Sequence, residues 1–202
     1  MDSATIFSDM TVTVLASAAV VLLVARLALF IHLHLVRPDL SPRERTVSDL
    51  GTGSSRTEFT VMGLLTAAAY VLVLVACVLQ GVGPAVPLLA LAIGAAAMLV
   101  MLCFPADLTG RTRTATGTVH WLLAVVQFTG LYVAMVNLDL TPVLPAEAVG
   151  IMRWVVRVSF YAFLAALVLP KLRRRWIGVT ERVFLTVTPL WFVVVGAALA
   201  VS

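Results

Sequence analysis

Six long apolar stretches recur along the chain, separated by polar connections. Each is close to the roughly 20 consecutive apolar residues that a helix needs to cross the hydrocarbon core of a bilayer. Run length alone predicts spans at about 11–36, 59–79, 84–104, 119–138, 148–169 and 183–201. The pattern therefore predicts an all-α fold, in which residues 1–202 form a single compact bundle of six transmembrane helices.

The composition agrees with a membrane protein. Apolar residues make up 61% of the chain and charged residues only 12%, whereas about a quarter of the residues in a soluble domain are charged. Six spans leave little chain for a water-soluble catalytic or nucleic-acid-binding domain. We therefore interpret the net charge of +4 as a signal of membrane orientation, and no nucleic-acid partner is expected.

The basic residues between spans follow an alternating pattern. They occur in the first, third and fifth connections, and the second and fourth contain none. Basic residues near span ends stay in the cytoplasm. The pattern predicts a multi-pass protein of the inner (plasma) membrane whose two termini both lie outside the cytoplasm. The basic residues concerned are Arg37, Arg43, Arg45, Arg56, Arg111, Arg113, Lys171, Arg173, Arg174, Arg175 and Arg182.

Four short segments at the predicted cytoplasmic ends of the spans are similar to those of a known family. They are Val47-Ser48-Asp49-Leu50-Gly51, Phe104-Pro105-Ala106-Asp107, Thr116-Gly117-Thr118-Val119-His120 and Gly178-Val179-Thr180-Glu181-Arg182. Together with the number and order of the spans, these segments resemble a large, mostly prokaryotic family of six-span membrane proteins, domain of unknown function 998. The resemblance implies a six-helix fold and no established chemistry.

Two arginines inside the predicted fifth span are candidate ligand-binding residues. Arg153 and Arg157 lie four residues apart, on one face of a helix, and Arg157 lies about 14 Å from the outer end of the span at 1.5 Å per residue. A charge at such depth costs at least about 2.5 kcal/mol without a partner, and no Asp or Glu lies at comparable depth in any span.

The arginine pair predicts an outward-opening pocket that binds an anionic or amphipathic, lipid-like molecule, because guanidinium groups bind phosphates and carboxylates. Gln127, Tyr70 and Arg26 complete the predicted ligand-binding set. In the alternative interpretation, Arg153 extends to the surface, while backbone carbonyls and polar side chains satisfy Arg157. Membrane lipids, a hydrophobic small molecule or a partner membrane protein, on which the chain would pack as a subunit, are the expected partners.

A membrane-embedded enzyme is the main alternative function. Acid–base chemistry on an isoprenoid or lipid substrate needs a protonatable carboxyl group screened from water. Asp107 is the candidate acid, with His120 as its hydrogen-bonded partner. Asp107 could instead cap a helix or pair with Arg111 or Arg113.

Cofactor binding is the least favoured alternative. A haem or quinone site would use His34 and His120, which the predicted topology places on the same side of the membrane. Cys77 and Cys103 lie on opposite halves of the membrane, so no disulfide is expected between them. The spacing of these residues suggests no metal site, and no cofactor is predicted.

Overall fold

The computed structural model describes residues 3–202, which form six α-helices and contain no β-strand. The helices are α1 (Ser3–Val36), α2 (Arg56–Leu79), α3 (Ala85–Met101), α4 (Ala115–Asn137), α5 (Ala146–Val168) and α6 (Pro170–Val201). Two short 3-10 turns, Val47–Gly51 and Gly53–Ser55, lie in the connection between α1 and α2. The all-helical fold predicted from the sequence is confirmed.

The helices have the length and surface of membrane spans. All except α3 are long and apolar enough to cross a bilayer, and α3, with 17 residues, is about 25 Å long at 1.5 Å per residue. Large apolar side chains such as Val21, Ile31 and Val158 are more than half exposed on the outside of the bundle. Apolar exposure on this scale is typical of a surface that faces lipid, and the chain is a multi-pass membrane protein.

Successive helices pack side by side, and α6 closes the arrangement by packing on α1 and, across the interior, on α2. The contact between α3 and α4 is close because both helices carry small residues there. A Cβ atom on Gly130 would lie 2.7 Å from the carbonyl oxygen of Ala90. The contact between α4 and α5 is much weaker than that between α3 and α4. Among helices that follow one another in the chain, α4 and α5 are therefore the least tightly packed pair.

The start of α6 differs from the sequence prediction. The basic segment before the predicted sixth span was expected to be a loop, but it forms the first turns of α6, and only Leu169 separates α5 from α6. Pro170 occupies the first turn of the helix, where proline is favoured because its missing N–H would have no helical partner. The basic side chains Lys171, Arg173, Arg174 and Arg175 are therefore carried by a helix.

All three basic connections meet at one end of the bundle, which we call the basic end. It consists of residues 37–55, residues 102–114 and the first turns of α6. At this end the first connection packs directly on Gly178, whose N–H donates to the carbonyl of Arg43 over 3.1 Å. A Cβ atom on Gly178 would lie 2.4 Å from two backbone oxygens, those of Pro42 and Arg45. The close approach of loop and helix therefore requires glycine at this position.

The buried carboxylate of Asp49 joins the first connection to the third. One of its oxygens accepts the N–H of Thr46 over 3.0 Å, and the other accepts the N–H of Thr109 over 2.8 Å. The side chain of Arg45 also donates to the carbonyl of Thr109. These bonds hold the first and third connections together at the basic end.

Candidate functional site

A cavity of about 740 Å³ opens at the basic end and extends between α4, α5 and α6. Its volume lies within the range of small-molecule binding sites. Phe128, at the inner end, lies about 20 Å along α4 from Ala115 at 1.5 Å per residue, so the cavity reaches the middle of the bundle. The aromatic rings of Phe128, Phe160 and Phe163 line this deep part.

The walls of the cavity change from apolar to charged along its length. Between the aromatic rings and the mouth, the lining residues from α4 and α5 are Ala124, Val125, Leu164 and Leu167. The mouth is lined by five arginines from all three basic segments, together with three acidic residues. The arginines are Arg45, Arg111, Arg113, Arg173 and Arg174, and the acidic residues are Glu44, Asp107 and Glu181. The cavity is amphipathic, with an apolar interior and a predominantly cationic entrance.

His120 lies on the cavity wall near the start of α4, with both ring nitrogens in hydrogen bonds. Nδ1 lies 2.8 Å from the carbonyl oxygen of Phe104, and Nε2 lies 3.3 Å from the hydroxyl oxygen of Ser48. A carbonyl oxygen can only accept, so the bond to Phe104 assigns the proton to Nδ1. Nε2 of the neutral ring is then an acceptor that faces the Ser48 hydroxyl group.

Asp107 also lines the cavity, but it is not hydrogen-bonded to His120. Its carboxylate accepts from the backbone N–H of Thr114 over 2.7 Å and from the Thr114 hydroxyl over 2.9 Å. Thr114 in turn caps α4 by accepting the N–H of Gly117 over 3.0 Å. Asp107 therefore supports the start of α4, and its predicted role as an acid paired with His120 stays a prediction.

Glu181 and Ser48 are two cavity residues to which the sequence analysis assigned no role. Glu181 is only 4% exposed, and its carboxylate accepts the N–H of Val47 over 2.7 Å. Both residues belong to segments that carry the family resemblance, and Glu181 also lies near a predicted span end on the same side as Asp107 and His120. Their contacts join positions more than 70 residues apart in the chain, so no local pattern identifies them.

The arginine pair predicted to form the ligand pocket lies elsewhere. Arg153 and Arg157 are half-buried on α5, and neither lines the cavity. Nη2 of Arg153 donates to the carbonyl of Leu138 over 3.0 Å, and Arg157 lies near the hydroxyl group of Tyr132. Nε of Arg153 is buried without a hydrogen-bond partner within residues 3–202. Ligand binding by the pair stays a prediction, as does the alternative in which Arg153 extends to the surface and polar groups satisfy Arg157.

The other three predicted ligand-binding residues are buried inside the bundle and do not line the cavity. Arg26 lies over the ring of Phe30, with 4.8 Å between the guanidinium carbon and the ring centre. Its Nε and Nη1 atoms have no hydrogen-bond partner within residues 3–202, and neither has Oε1 of Gln127. Tyr70 packs against Phe192 at a ring separation of 4.6 Å.

His34, the other residue of the predicted haem or quinone site, lies outside the cavity lining. Its Nδ1 bonds to the carbonyl of Phe30 over 2.6 Å, and its Nε2 accepts from Nε of Arg182 over 2.7 Å. Arg182 also donates to the carbonyls of Pro42 and Gly178, each over 3.0 Å. His34 thus belongs to the contact between α1, α6 and the first connection, and cofactor binding by His34 and His120 stays a prediction.

The four segments that carry the family resemblance converge on this cavity. Ser48, Asp107, His120 and Glu181 each come from a different one of them, and all four side chains lie on the cavity wall. Comparisons with curated proteins and with solved structures give no match. The model of one family matches residues 14–198, which is nearly the whole chain, and this protein belongs to that family, protein of unknown function (DUF998).

Proposed function

We propose that this protein binds an anionic membrane amphiphile in the cavity at the basic end. The observation that carries the proposal is the cavity itself, which joins a mouth lined by five arginines to an apolar interior lined by aromatic rings. The charged headgroup would lie among the arginines, and the acyl or prenyl chain would follow the apolar walls toward Phe128.

The two parts of the cavity suit the two parts of such a molecule. Guanidinium groups form paired hydrogen bonds to phosphate or carboxylate oxygens, which favours an anionic headgroup over a neutral one. Removal of a hydrocarbon chain from water stabilises the complex by about 0.8 kcal/mol for each buried CH2 group. A membrane lipid already has its chain in hydrocarbon, so selection among lipids would depend mainly on the headgroup.

The ligand would reach the cavity between α4 and α5, because the contact between these two helices is weak. In the half of this contact away from the basic end, Tyr132 stacks on Phe160 at 4.1 Å and donates to the hydroxyl of Tyr161 over 2.9 Å. The cavity occupies the other half. Because basic connections stay in the cytoplasm, the basic end is assigned to the cytoplasmic side, and the ligand would enter from the inner leaflet.

Native mass spectrometry with phosphatidylglycerol and phosphatidylcholine tests the proposal. The Arg173→Gln/Arg174→Gln variant removes two charges at the cavity mouth, and the Arg153→Gln/Arg157→Gln variant removes two charges on α5 outside the cavity. Each basic residue near an anionic headgroup contributes about 1 kcal/mol. We expect the first variant to bind phosphatidylglycerol about 30-fold more weakly than the unchanged protein and the second to bind it equally well.

A second matched pair tests the apolar part of the cavity. Ala124→Trp places a large side chain in the cavity, whereas Leu122→Trp places the same side chain on the exposed face of α4. We expect only Ala124→Trp to abolish binding of phosphatidylglycerol. The proposal is wrong if both cavity variants bind normally, or if loss of binding follows the Arg153→Gln/Arg157→Gln variant instead.

A further inference from the structure

We propose that Ser48 and His120 form a nucleophile and general base that cleave an ester bond in the amphiphile bound in the cavity. The inference rests on the proposed function and assigns it a reaction, transfer of the acyl group of a long-chain ester to Ser48. Its structural basis is a hydrogen-bonded series of three groups, two of which line the cavity.

The geometry is that of an activated hydroxyl group. The Ser48 oxygen lies 3.3 Å from Nε2 of His120, and Nδ1 of the same ring lies 2.8 Å from the carbonyl oxygen of Phe104. A serine nucleophile is recognised by a base within hydrogen-bond reach and a third group that orients the base. Here the backbone carbonyl of Phe104 fixes the tautomer that leaves Nε2 free to take the serine proton.

Ser48 is held in place by its two neighbours. Val47 is buried and donates its N–H to Glu181, while Asp49 is fully buried and bonded to the backbones of Thr46 and Thr109. Ser48 itself is half-buried and lines the cavity. The two anchors fix the backbone on either side of its hydroxyl group, as a preorganised nucleophile requires.

The position of the pair indicates the class of substrate. On α4, His120 lines the cavity between Gly117 and Ala124, about one turn from each, next to the cationic mouth. When an anionic headgroup binds to the arginines, the bond at this level is the one that joins the headgroup portion to the hydrocarbon chain. In acyl lipids that bond is a carboxylic ester.

The reaction balances without any added cofactor. The Ser48 oxygen attacks the ester carbonyl carbon as its proton passes to Nε2 of His120, and the carbon–oxygen bond to the alcohol breaks. His120 then gives the proton to the departing alkoxide, which leaves as the free alcohol. Water attacks the acyl-serine, again with His120 as base, so a carboxylic acid is released and Ser48 is restored.

A long-chain alkyl fluorophosphonate is the probe, because an activated serine displaces its fluoride and keeps the phosphonate. The purified protein in nanodiscs is incubated with the probe, and the adduct is located by peptide mass analysis. We expect one adduct, on Ser48. Ser48→Ala should abolish it, whereas Ser41→Ala, which removes an exposed hydroxyl group of the same connection, should leave it unchanged.

The role of the base is tested by the rate of adduct formation. A positioned general base contributes about 10²- to 10⁴-fold, so His120→Gln should slow labelling of Ser48 by at least about 100-fold. His32→Gln, on the exposed side of α1, should label at the normal rate. Thermal melting of each variant checks that the loss is not due to unfolding, and equal labelling rates in the two histidine variants would overturn the assignment.

Binding and labelling are measured on the same preparation, which separates this inference from the proposed function. If phosphatidylglycerol binds but Ser48 carries no adduct, the nucleophile assignment is wrong and the binding proposal stands. If neither binding nor labelling occurs, both are wrong. An adduct on Ser48 that depends on His120 supports the inference.

Discussion

The basic end and the middle of the bundle differ in how many bonds their buried polar side chains make to neighbouring segments. At the basic end, the carboxylates of Asp49 and Glu181 accept from backbone N–H groups of neighbouring segments. Arg182 donates to backbone carbonyls there, although its Nη2 atom has no partner within residues 3–202. In the middle of the bundle, Arg26 and Gln127 have polar atoms without a partner in residues 3–202. The cavity opens at the end where the loops bond to one another, and the charged residues inside the spans did not indicate its position.

Among the substitutions that test this difference between the two regions, Asp49→Ala is expected to lower stability the most. The substitution leaves the N–H groups of Thr46 and Thr109 without their acceptor, and an unsatisfied buried donor costs about 1–3 kcal/mol. Since both donors are partly buried, each should lie near the lower end of that range. We expect a lower thermal midpoint in detergent and faster proteolysis of the first connection, with Asp49→Asn less damaging because it keeps one acceptor oxygen.

Gly178→Ala tests the contact between the first connection and α6. The added Cβ would lie 2.4 Å from two backbone oxygens, and forced overpacking of this kind costs about 1–3 kcal/mol. Gly150→Ala is the matched control, because Gly150 is also helical and has no atom within 4 Å of the added Cβ. Thermal melting should show a loss for Gly178→Ala only, and equal midpoints for the two variants would contradict the described packing.

Arg26→Met is not expected to lower the thermal midpoint, in contrast to the two substitutions above. Arg26 is only 4% exposed, and two of its guanidinium nitrogens have no partner within residues 3–202, so removing its charge relieves a desolvation cost. The lost cation–π contact with Phe30 offsets part of this gain, by about 0.5–2 kcal/mol. We expect an unchanged or raised thermal midpoint. Arg45→Met at the basic end should lower the midpoint because it removes the bond to Thr109, and a large loss for Arg26→Met would show that the interior charge has a partner.

The smallest expected effect is that of Asp39→Asn. The guanidinium group of Arg37, 2.9 Å away, lowers the pKa of the Asp39 carboxyl group. A carboxyl group whose pKa is lowered by folding stabilises the folded state at neutral pH, and this contribution is lost as the pH falls through its folded pKa. Melting curves of the two proteins should differ slightly at pH 7 and coincide in acid. A difference between the two midpoints that grows as the pH falls would contradict the stabilising role of the Asp39–Arg37 pair.

Much of the architecture is predictable from the sequence because apolar run length and basic-residue placement act locally. The helical fold and the presence of Asp107 and His120 near the ends of spans both follow from such patterns. Pro170 also contained a usable signal for the early start of α6, because proline is frequent in the first turn of a helix.

The location of the cavity is not predictable in the same way. It depends on the weak packing of α4 against α5, and the pairing of Ser48 with His120 joins residues 72 positions apart. The Arg153 and Arg157 pair was selected because depth in a span makes a charge costly. The structure provides nearby groups for both side chains, a carbonyl oxygen for Arg153 and a tyrosine hydroxyl for Arg157. Contacts between α5 and other segments cannot be predicted from the sequence of α5 alone.

The central claim is that an anionic amphiphile binds at the basic end. Photolabelling with a diazirine-bearing phosphatidylglycerol in nanodiscs tests this claim most directly. The diazirine is placed in the acyl chain, and the labelled peptides are mapped by mass spectrometry. We predict adducts concentrated on the cavity residues of α4 and α5, such as Phe128 and Leu164, that are strongly reduced by excess unlabelled phosphatidylglycerol but not by phosphatidylcholine. Adducts concentrated around Arg153 and Arg157, or spread evenly over the lipid-facing sides of all six helices, would contradict the account.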